Sequence, residues 1–551
     1  MKSRDTRQLR TIIVDLTPVL PGGENGGAKV FVLELLRRLA ERAPQTQFVL
    51  LTQASAHEEL AALDGANVRR LMVLDSGGPP ALRSLGARIF SRILAHLPDR
   101  LRRVAARLGY SLLTQSKRSG SRSLLRDLNV DLLFCPFTAP TYFELNIPTV
   151  CIIYDLQYKT YPQFFAPEDV AHRGRTFKEA VRRSTALAAI SDYSRDVAIA
   201  EGKLDPAKIK TIHLHISQHS LRNAPRDESI LGRLQLVAER YLIYPANFWK
   251  HKNHEMLLTA FGIARRNGLA DDIRLVCTGA PGARQQWLQK AVRGLGLQNH
   301  ILFPGYLANA ELLALITNSA GVVFPSLYEG FGLPVIEAMA TGVPVACSNV
   351  TSLPEVAGDA AILFDPRVPE QIAQAMISLA HDKKLTARLI QAGDARAERF
   401  SDSRLMAEQF WELFQSAAEL GHRSNVLVGV DPDGWAGPIA TLQIVSSTQA
   451  RTLDLEVALP TAAPIQAVML RVAHEQDQKA EITVMRGENS SFSIPLPLAG
   501  GCFNIHASPS FVPAATGGGN DNRELSVRFV RCDVASADGQ RDTLFAESSS
   551  P

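Results

Sequence analysis

The sequence contains few of the residues that build disulfide or metal frameworks. Its six cysteines are spread over 551 residues, and no two of them show the C-x-x-C spacing typical of metal sites. Most lie inside apolar runs, which predicts reduced thiols in the cores of a cytoplasmic protein. The cysteine pattern therefore argues against a disulfide scaffold and against a structural metal cluster.

Long apolar runs and a strong charge imbalance are also missing. No stretch reaches the roughly 18 apolar residues that a transmembrane helix requires, and Asp15 interrupts the short apolar run near the amino terminus, so no signal peptide is expected. A net charge of +4 over 551 residues is too small to indicate nucleic-acid binding. These absences predict a cytoplasmic protein that does not bind nucleic acid.

Two series of apolar strand patterns, separated by helical patterns, are present. The first begins with TIIVDL, a glycine-rich loop PGGENGGAK, the helical pattern KVFVLELLRRLA and the strand FVLLT. This order is typical of a parallel α/β unit. The second begins near residue 240 with RYLIYPAN, and its strands are apolar enough to be covered by helices on both faces. The sequence thus predicts two α/β domains, at 1–225 and 226–421.

The pattern changes after about residue 424. Short alternating stretches between Gly, Pro, Asn and Ser turns predict an antiparallel β-sandwich at 425–535 and a flexible tail at 536–551. Trp435 and Phe511 either fill the core of this domain, which is the favoured interpretation, or stack on sugar. No catalytic group is recognised here, so the domain is expected to position a polymer or a partner.

A basic amphipathic segment is predicted within the first domain, at 83–126. Between Arg83 and Asp127 there are eleven Arg or Lys residues and two acidic ones, and the apolar residues keep helical spacing. Such a face either lies on an anionic membrane surface or packs against its own domain.

The stretch SLYEGFGLPVIEAMA places Glu329 and Glu337 eight positions apart, around a glycine-rich loop. Pro334 suits the first turn of a helix that follows a buried strand. In an open α/β sheet, ligands bind beyond the carboxyl ends of such strands, where helix amino termini attract phosphate. Carboxylates at this position would instead accept hydrogen bonds from hydroxyl groups. A sugar nucleotide combines a diphosphate with hexose and ribose hydroxyls.

At these residues the chain resembles glycosyltransferase family 4 and its E-x7-E signature. The resemblance covers about residues 10–420 and includes the glycine loop, IYDLQYKTYPQFF, AISDYSRD, YPANFWKHKNH, VCTGAPG and LFPGYL. It implies a GT-B fold, in which two Rossmann-like domains face a cleft. It also implies a retaining enzyme that needs no metal.

The resemblance implies a role for each matching residue. Glu329 would hold the transferred hexose, Glu337 the ribose diol, and Lys252 would neutralise the leaving diphosphate. Asp155 is a candidate for orienting the acceptor. The remaining predicted contacts to the donor come from the loop backbones and one side chain, namely Gly26, Gly27, Asn247, Gly330, Phe331, Gly332 and Leu333.

Two positions depart from the family pattern. Asn247 stands where relatives often carry Arg, so one phosphate-binding charge is missing, and Lys250 is a candidate to replace part of it. Tyr154 stands where relatives often have His, so the role of that His does not transfer. Ser191 and Ser194 have no His–Asp partners that would make either a nucleophile, and His213, His215 and His219 are interpreted as ordinary strand or surface residues.

The function predicted from these features is retaining transfer of a hexose from a GDP- or UDP-linked sugar. YPANFWKHKNH resembles bacterial polysaccharide and O-antigen glycosyltransferases, which makes mannose from GDP-mannose the first choice. The implied acceptor is an oligosaccharide or a polyprenyl-diphosphate-linked glycan at the inner face of the plasma membrane. The alternatives are another GT-B enzyme, such as an epimerase or synthase, and a non-catalytic glycan-binding scaffold.

Overall fold

The computed structural model describes a defined part of the chain: residues 9–21, 26–74, 124–144, 147–216, 218–420, 425–431, 433–445, 447–474, 477–513, 521 and 523–546. The predicted basic segment at 83–126 lies outside the described residues, apart from 124–126. Two compact units are distinguished. The second is formed by the chain from Ala417 together with Phe143–Thr149 and Arg182–Thr185, and the first by the rest.

The first unit contains two parallel α/β lobes. The strands of the first lobe have the order β3-β2-β1-β4-β5-β6-β7, and the β1–β2, β1–β4, β2–β3, β5–β6 and β6–β7 pairs are parallel. Its strands are β1 Thr11–Asp15, β2 Gln47–Gln53, β3 Val68–Leu74, β4 Leu132–Cys135, β5 Thr149–Ile153, β6 Ala186–Ala189 and β7 Ile209–Thr211. Its helices are α1 Gly26–Arg42, α2 Leu124–Asp127, α3 Gln157–Thr160, α4 Pro167–Arg183 and α5 Asp192–Gly202, with 3₁₀ turns at Glu59–Leu63, Pro162–Phe164 and Pro206–Lys208.

The second lobe has a six-stranded parallel sheet of order β10-β9-β8-β11-β12-β13. Its strands are β8 Tyr241–Pro245, β9 Arg274–Thr278, β10 Ile301–Gly305, β11 Gly321–Phe324, β12 Val345–Ser348 and β13 Ala361–Phe364. Its helices, with the 3₁₀ turn Lys250–Lys252, are α6 Gln218–Asn223, α7 Ser229–Arg233, α8 His254–Arg266, α9 Ala283–Gly294, α10 Asn309–Thr317, α11 Leu333–Ala340, α12 Leu353–Ala357, α13 Pro369–His381 and α14 Lys383–Glu398.

A last helix, α15 (Ser403–Leu420), returns to the first lobe. The ring centroids of Phe410 and Phe414 lie 5.9 and 5.0 Å from that of Phe134, which is on strand β4. Phe410 also packs against Phe31 of α1. Burial of these rings against one another packs α15 onto the first lobe through an apolar contact.

Strand burial follows the predicted pattern. All residues of β4, β6, β11 and β12 are buried, as expected for parallel strands covered by helices on both faces. Among the described residues, no helix combines the length and the apolar character needed to cross a bilayer.

The second unit is built around a nine-stranded antiparallel sheet that curls around a single core. Trp435 and Phe511 meet edge to face at 5.6 Å and pack against that core, in line with the favoured interpretation. The strands are β14 Val426–Val430, β15 Trp435–Ile444, β16 Arg451–Ala458, β17 Ala467–His474, β18 Asp477–Met485, β19 Asn489–Leu496, β20 Gly501–Ser508, β21 Val527–Ser536 and β22 Arg541–Ala546.

The fold class predicted from the sequence, two Rossmann-like domains followed by an antiparallel β domain, is confirmed, and the predicted β-sandwich takes the form of one curled nine-stranded sheet. The prediction of a flexible tail from residue 536 is wrong for 541–546, because β22 pairs with β21 and buries Phe545 in the core. Because polar residues flank this short strand, its sequence lacks the extended apolar pattern that would predict a buried strand.

Candidate active site

The loops that follow strands β8 and β11 meet at one edge of the second lobe. These strands are parallel neighbours, so their carboxyl ends lie side by side. Lys252 follows β8 and Glu329 follows β11, and Lys252 Nζ lies 2.6 Å from Glu329 Oε1. The two side chains are only 11% and 13% exposed. The structure therefore brings two predicted catalytic residues together as a largely desolvated ion pair.

Several contacts hold these two loops together. The hydroxyl of Tyr244 donates to the carbonyl of Lys252 at 2.9 Å, and the Leu327 amide donates to the carbonyl of His251 at 2.7 Å. The side-chain amide of Asn253 donates to the carbonyl of Pro325 at 3.1 Å. Because these bonds fix both backbones, the ion pair is preorganised.

The glycines of the loop serve close packing within the protein. A Cβ atom on Gly330 would lie 2.3 Å from the carbonyl oxygen of Tyr154, and one on Gly332 would lie 2.6 Å from Leu353 Cδ2. Gly332 also has φ +107°, in the left-handed region that favours glycine. The sequence predicts donor contacts from the backbone of this loop, and the atoms that lie close to the two glycines in the structure belong to the other lobe and to the start of α12.

Glu337 lies one turn inside helix α11, which starts at Leu333 and has Pro334 in its first turn, as predicted. Its side chain is half-buried, and burial raises the pKa of its carboxyl group. Within the described ranges no group is hydrogen-bonded to it. Such a carboxyl group has an unused capacity to bind hydroxyls.

Asp155 comes from the first lobe, immediately after β5. Its Oδ1 accepts a hydrogen bond from the Gln157 amide at 3.1 Å. Burial raises the pKa of this carboxyl group, Arg173 and Lys252 oppose the rise, and Glu329 reinforces it. Asp155 therefore shares one electrostatic environment with the Lys252–Glu329 pair, and Arg173 is a cation of this environment that sequence reasoning missed.

The predicted glycine loop is described only from Gly26 onward. Gly26 has φ +54° and starts helix α1, three residues before the helical pattern recognised in the sequence. A Cβ atom on Gly27 would lie 3.8 Å from Leu333 Cδ1. The amino-terminal turn of α1 thus faces the start of α11, so two helix amino termini with positive potential converge.

Asn247 and Tyr154, the two positions that depart from the family pattern, lie in different surroundings. Asn247 is exposed, and its Oδ1 accepts a hydrogen bond from the Ala280 amide at 2.9 Å, so it connects the loops after β8 and β9. The Tyr154 hydroxyl is buried without a hydrogen-bond partner in the described part of the chain, and burial raises its pKa. Phe331 is buried, with its ring 6.0 Å from that of His213.

Ser191 and Ser194 are not predicted as residues of this site, yet both hydroxyls contact it. Ser191 Oγ donates to the carbonyl of Gly330 at 2.7 Å. Ser194 Oγ lies 3.0 Å from the carbonyl oxygen of Tyr154 and 3.2 Å from that of Gly330. A serine before a helical pattern is an N-cap signal, but the carbonyl across the cleft is invisible in the sequence.

Solved structures share the fold. The Anabaena protein HepE, crystallised with UDP and glucose, is 17% identical, with a TM-score of 0.54 over 74% of this chain and all of HepE. A glycosyltransferase from Rickettsia africae is 15% identical, with a TM-score of 0.52 over 76% of this chain and all of its own. These similarities establish the GT-B architecture.

Sequence comparison gives the family. The family model described as "Glycosyl transferases group 1" matches residues 233–396, which include Lys252, Glu329 and Glu337. The O-antigen chain mannosyltransferase B of Escherichia coli is 30% identical over 270 residues, which are 48% of this chain and 69% of that protein. The serotype-specific mannosyltransferase WbdA of E. coli is 28% identical over 293 residues, 50% of this chain and 35% of WbdA. The chain belongs to the group 1 glycosyltransferases.

Proposed function

We propose that this glycosyltransferase moves a hexose, with retention of anomeric configuration, from a nucleotide sugar to a growing bacterial polysaccharide. The observation that carries the proposal is the buried Lys252–Glu329 pair, with its Nζ–Oε1 distance of 2.6 Å, in the electrostatic environment of Asp155. It combines a cation for a leaving phosphate with carboxylates for sugar hydroxyls.

Lys252 is the proposed electrostatic catalyst. Departure of a nucleoside diphosphate builds negative charge on the terminal phosphate, and a preorganised ammonium in a water-poor site stabilises that charge. The amino-terminal turns of α1 and α11 add backbone N–H groups. In this proposal no metal is required, and turnover that is unchanged by a chelator is the corresponding expectation.

Glu329 and Glu337 are the proposed hydroxyl acceptors. When the donor binds, its leaving phosphate also interacts with Lys252. Glu329 then loses part of its interaction with Lys252 and accepts hydrogen bonds from the hexose hydroxyls instead. Glu337, with no protein partner in the described residues, receives the ribose diol. Asp155 orients the attacking acceptor hydroxyl from the opposite lobe.

Mannose from GDP-mannose is the proposed donor sugar. Two relatives have names that include mannosyltransferase, and one of these is named for the O-antigen chain. The proposed acceptor is the end of a polysaccharide linked to a polyprenyl diphosphate.

The basic sequence at 83–126 motivates the proposal that the protein binds peripherally to the cytoplasmic face of an anionic membrane. Flotation with anionic vesicles tests this proposal, and protein that stays at the bottom of the gradient contradicts it.

A thermal-shift panel of the purified chain tests the donor. GDP-mannose, UDP-glucose, UDP-N-acetylglucosamine, ADP-glucose and the free diphosphates are compared, since a ligand of the native state raises the midpoint by mass action. We expect GDP-mannose and GDP to stand out, and expect Glu337→Gln to weaken both shifts. Release of nucleoside diphosphate in the presence of acceptor then separates an enzyme from a scaffold, which would bind glycan and release none.

A further inference from the structure

Groups from the second lobe form hydrogen bonds with the amino-terminal turn of helix α5. Ser191 is the N-cap residue, and its Oγ accepts a hydrogen bond from the Ser194 amide at 3.0 Å. The same hydroxyl donates to the carbonyl of Gly330 at 2.7 Å. Ser191 and Ser194 are 0% and 1% exposed, so water does not compete for these bonds.

Glu355 of helix α12 reaches across to the same turn. Its Oε1 accepts from the Asp192 amide at 2.7 Å, and its Oε2 accepts from the Tyr193 amide at 3.1 Å. His213 Nε2 lies 2.6 Å from Oε1. Burial raises the pKa of this carboxyl group, but the hydrogen bonds from His213 and the two amides outweigh it, and the pKa is lowered overall. A charged carboxylate from one lobe thus caps a helix of the other.

Each of these contacts is next to a proposed catalytic group. The Ser194 hydroxyl bridges the carbonyl oxygens of Tyr154 and Gly330, and these residues directly precede Asp155 and directly follow Glu329. A shift of this turn therefore moves the two catalytic carboxylates relative to each other.

The segment that leads into α12 is tied to the donor loop as well. The Glu329 amide donates to Thr351 Oγ1 at 3.1 Å. The Ser352 hydroxyl lies 3.0 Å from the carbonyl oxygen of Glu329 and 2.9 Å from that of Phe331. Glu355 follows three residues later, so the carboxylate that caps α5 and the loop that carries Glu329 are parts of one connected unit.

We propose that Ser191, Ser194 and Glu355 form an interlobe latch, which locks the donor loop onto the first turn of α5 and sets Glu329 against Asp155 for transfer. These are positioning residues, because they touch neither the reacting atoms nor the phosphate-binding lysine. The inference rests on the proposed function for its kinetic consequence, but the latch itself is a property of the protein alone.

A divalent metal at the same place is the competing explanation. Ligand atoms of Asp192, His213 and Glu355 lie within 4.8 Å of one another, which is close enough for shared coordination. However, both oxygens of Glu355 already accept hydrogen bonds. The latch predicts that a chelator changes neither the activity nor the protection of the α5 amides from hydrogen exchange. If a chelator lowers either of these and zinc restores it, the latch is overturned.

Hydrogen exchange tests the latch without any substrate. In the wild type the amides of Asp192 and Tyr193 are expected to be protected. Glu355→Ala should speed exchange in peptides that cover 190–202 by about tenfold or more, as expected for loss of a hydrogen bond to a charged group. The matched control is Glu311→Ala, because Glu311 accepts from the Ala308 amide at 3.0 Å inside a single lobe. Unchanged exchange in Glu355→Ala overturns the latch.

Steady-state kinetics then test what the latch does. Glu355→Ala and the double variant Ser191→Ala/Ser194→Ala should each lower kcat about tenfold or more. The thermal shift with GDP should persist, because Lys252 and Glu337 both lie in the second lobe. Glu311→Ala should keep wild-type kcat. A wild-type kcat in both latch variants, measured on folded protein, refutes the positioning role.

Failure of the proposed function gives a different pattern of results. If the wild type releases no nucleoside diphosphate from GDP-mannose, the donor assignment fails while the exchange experiment still decides whether the latch exists. If the wild type turns over and exchange at α5 responds to Glu355→Ala while both latch variants keep wild-type kcat, the latch is structural and the positioning proposal is refuted.

Discussion

Replacing Lys252 by Met should both destabilise the first unit and lower kcat for transfer by about 10²–10³-fold. The ammonium of Lys252 and the carboxylate of Glu329 are 2.6 Å apart and only 11% and 13% exposed. Removing the lysine leaves the carboxylate buried without its counter-charge. Breaking a buried pair in this way costs about 3–5 kcal/mol, whereas an exposed pair contributes about 0–1 kcal/mol.

The double variant Lys252→Met/Glu329→Gln separates stability from catalysis. It removes the uncompensated charge together with its partner, so it should recover a large part of the stability lost in Lys252→Met. It should not recover turnover, because the ammonium group proposed to stabilise the leaving diphosphate is still absent. Loss of one such preorganised group lowers kcat by about 10²–10³-fold.

Urea unfolding followed by helical circular dichroism measures the stability change. The described helices lie mainly in the first unit, so the signal reports that unit. A control is Lys383→Met, since Lys383 pairs with Glu239 at 2.8 Å but both side chains are about 70% exposed (72% and 68%). The control should lose less than about 1 kcal/mol.

Two results would refute this reasoning. If Lys252→Met unfolds at the same urea concentration as the control, the pair is not desolvated as the structure indicates. If the double variant transfers sugar at the wild-type rate, Lys252 does not stabilise the leaving group.

Three further predictions concern other residues. Glu337→Gln should leave the urea midpoint unchanged or slightly raised, because this carboxyl group is half-buried without a partner in the described residues. The same change should raise the donor KM about tenfold or more in initial-rate assays, and an unchanged KM removes Glu337 from the donor site. Gly330→Ala should abolish transfer, because its Cβ would lie 2.3 Å from the carbonyl oxygen of Tyr154, whereas Gly282→Ala has nothing within 4 Å and should be active; an active Gly330→Ala enzyme shows that the lobes do not need this contact. Burial, reinforced by Lys252, lowers the pKa of His254 to about 3. Below about pH 6.5 the unfolded chain therefore binds a proton at His254 that the folded protein does not bind. This group then lowers the free energy of unfolding by about 1.4 kcal/mol for each unit of decreasing pH. His254→Phe should flatten the change in urea midpoint between about pH 7 and about pH 5, and an equally steep change in both proteins refutes the assignment.

Local pattern in the sequence was sufficient to predict the fold and to single out the candidate donor-side residues. Apolar strands alternate with helical patterns, and the loops after β8 and β11 carry Lys252 and Glu329 within short, recognisable stretches. Since the carboxyl ends of adjacent parallel strands lie side by side, the meeting of these two residues follows from strand order. That order itself is visible only in the assembled sheet.

Contacts between the lobes could not be read from local pattern. The Ser191 and Ser194 hydroxyls reach Gly330 from positions 139 and 136 residues away in the chain, and Glu355 reaches Asp192 across 163 residues. A serine or glutamate near a helix start looks the same in sequence whether it caps its own helix or another.

The sequence by itself determined which residues are candidates for the chemistry, because carboxylates, a lysine and glycines at fixed spacing satisfy local rules of strand, loop and helix. The tertiary structure alone decided what holds these residues in place. The reason is physical: the bond from Ser191 to Gly330, the cap from Glu355 to α5 and the desolvation of the Lys252–Glu329 pair depend on distances between segments that only the packed lobes define.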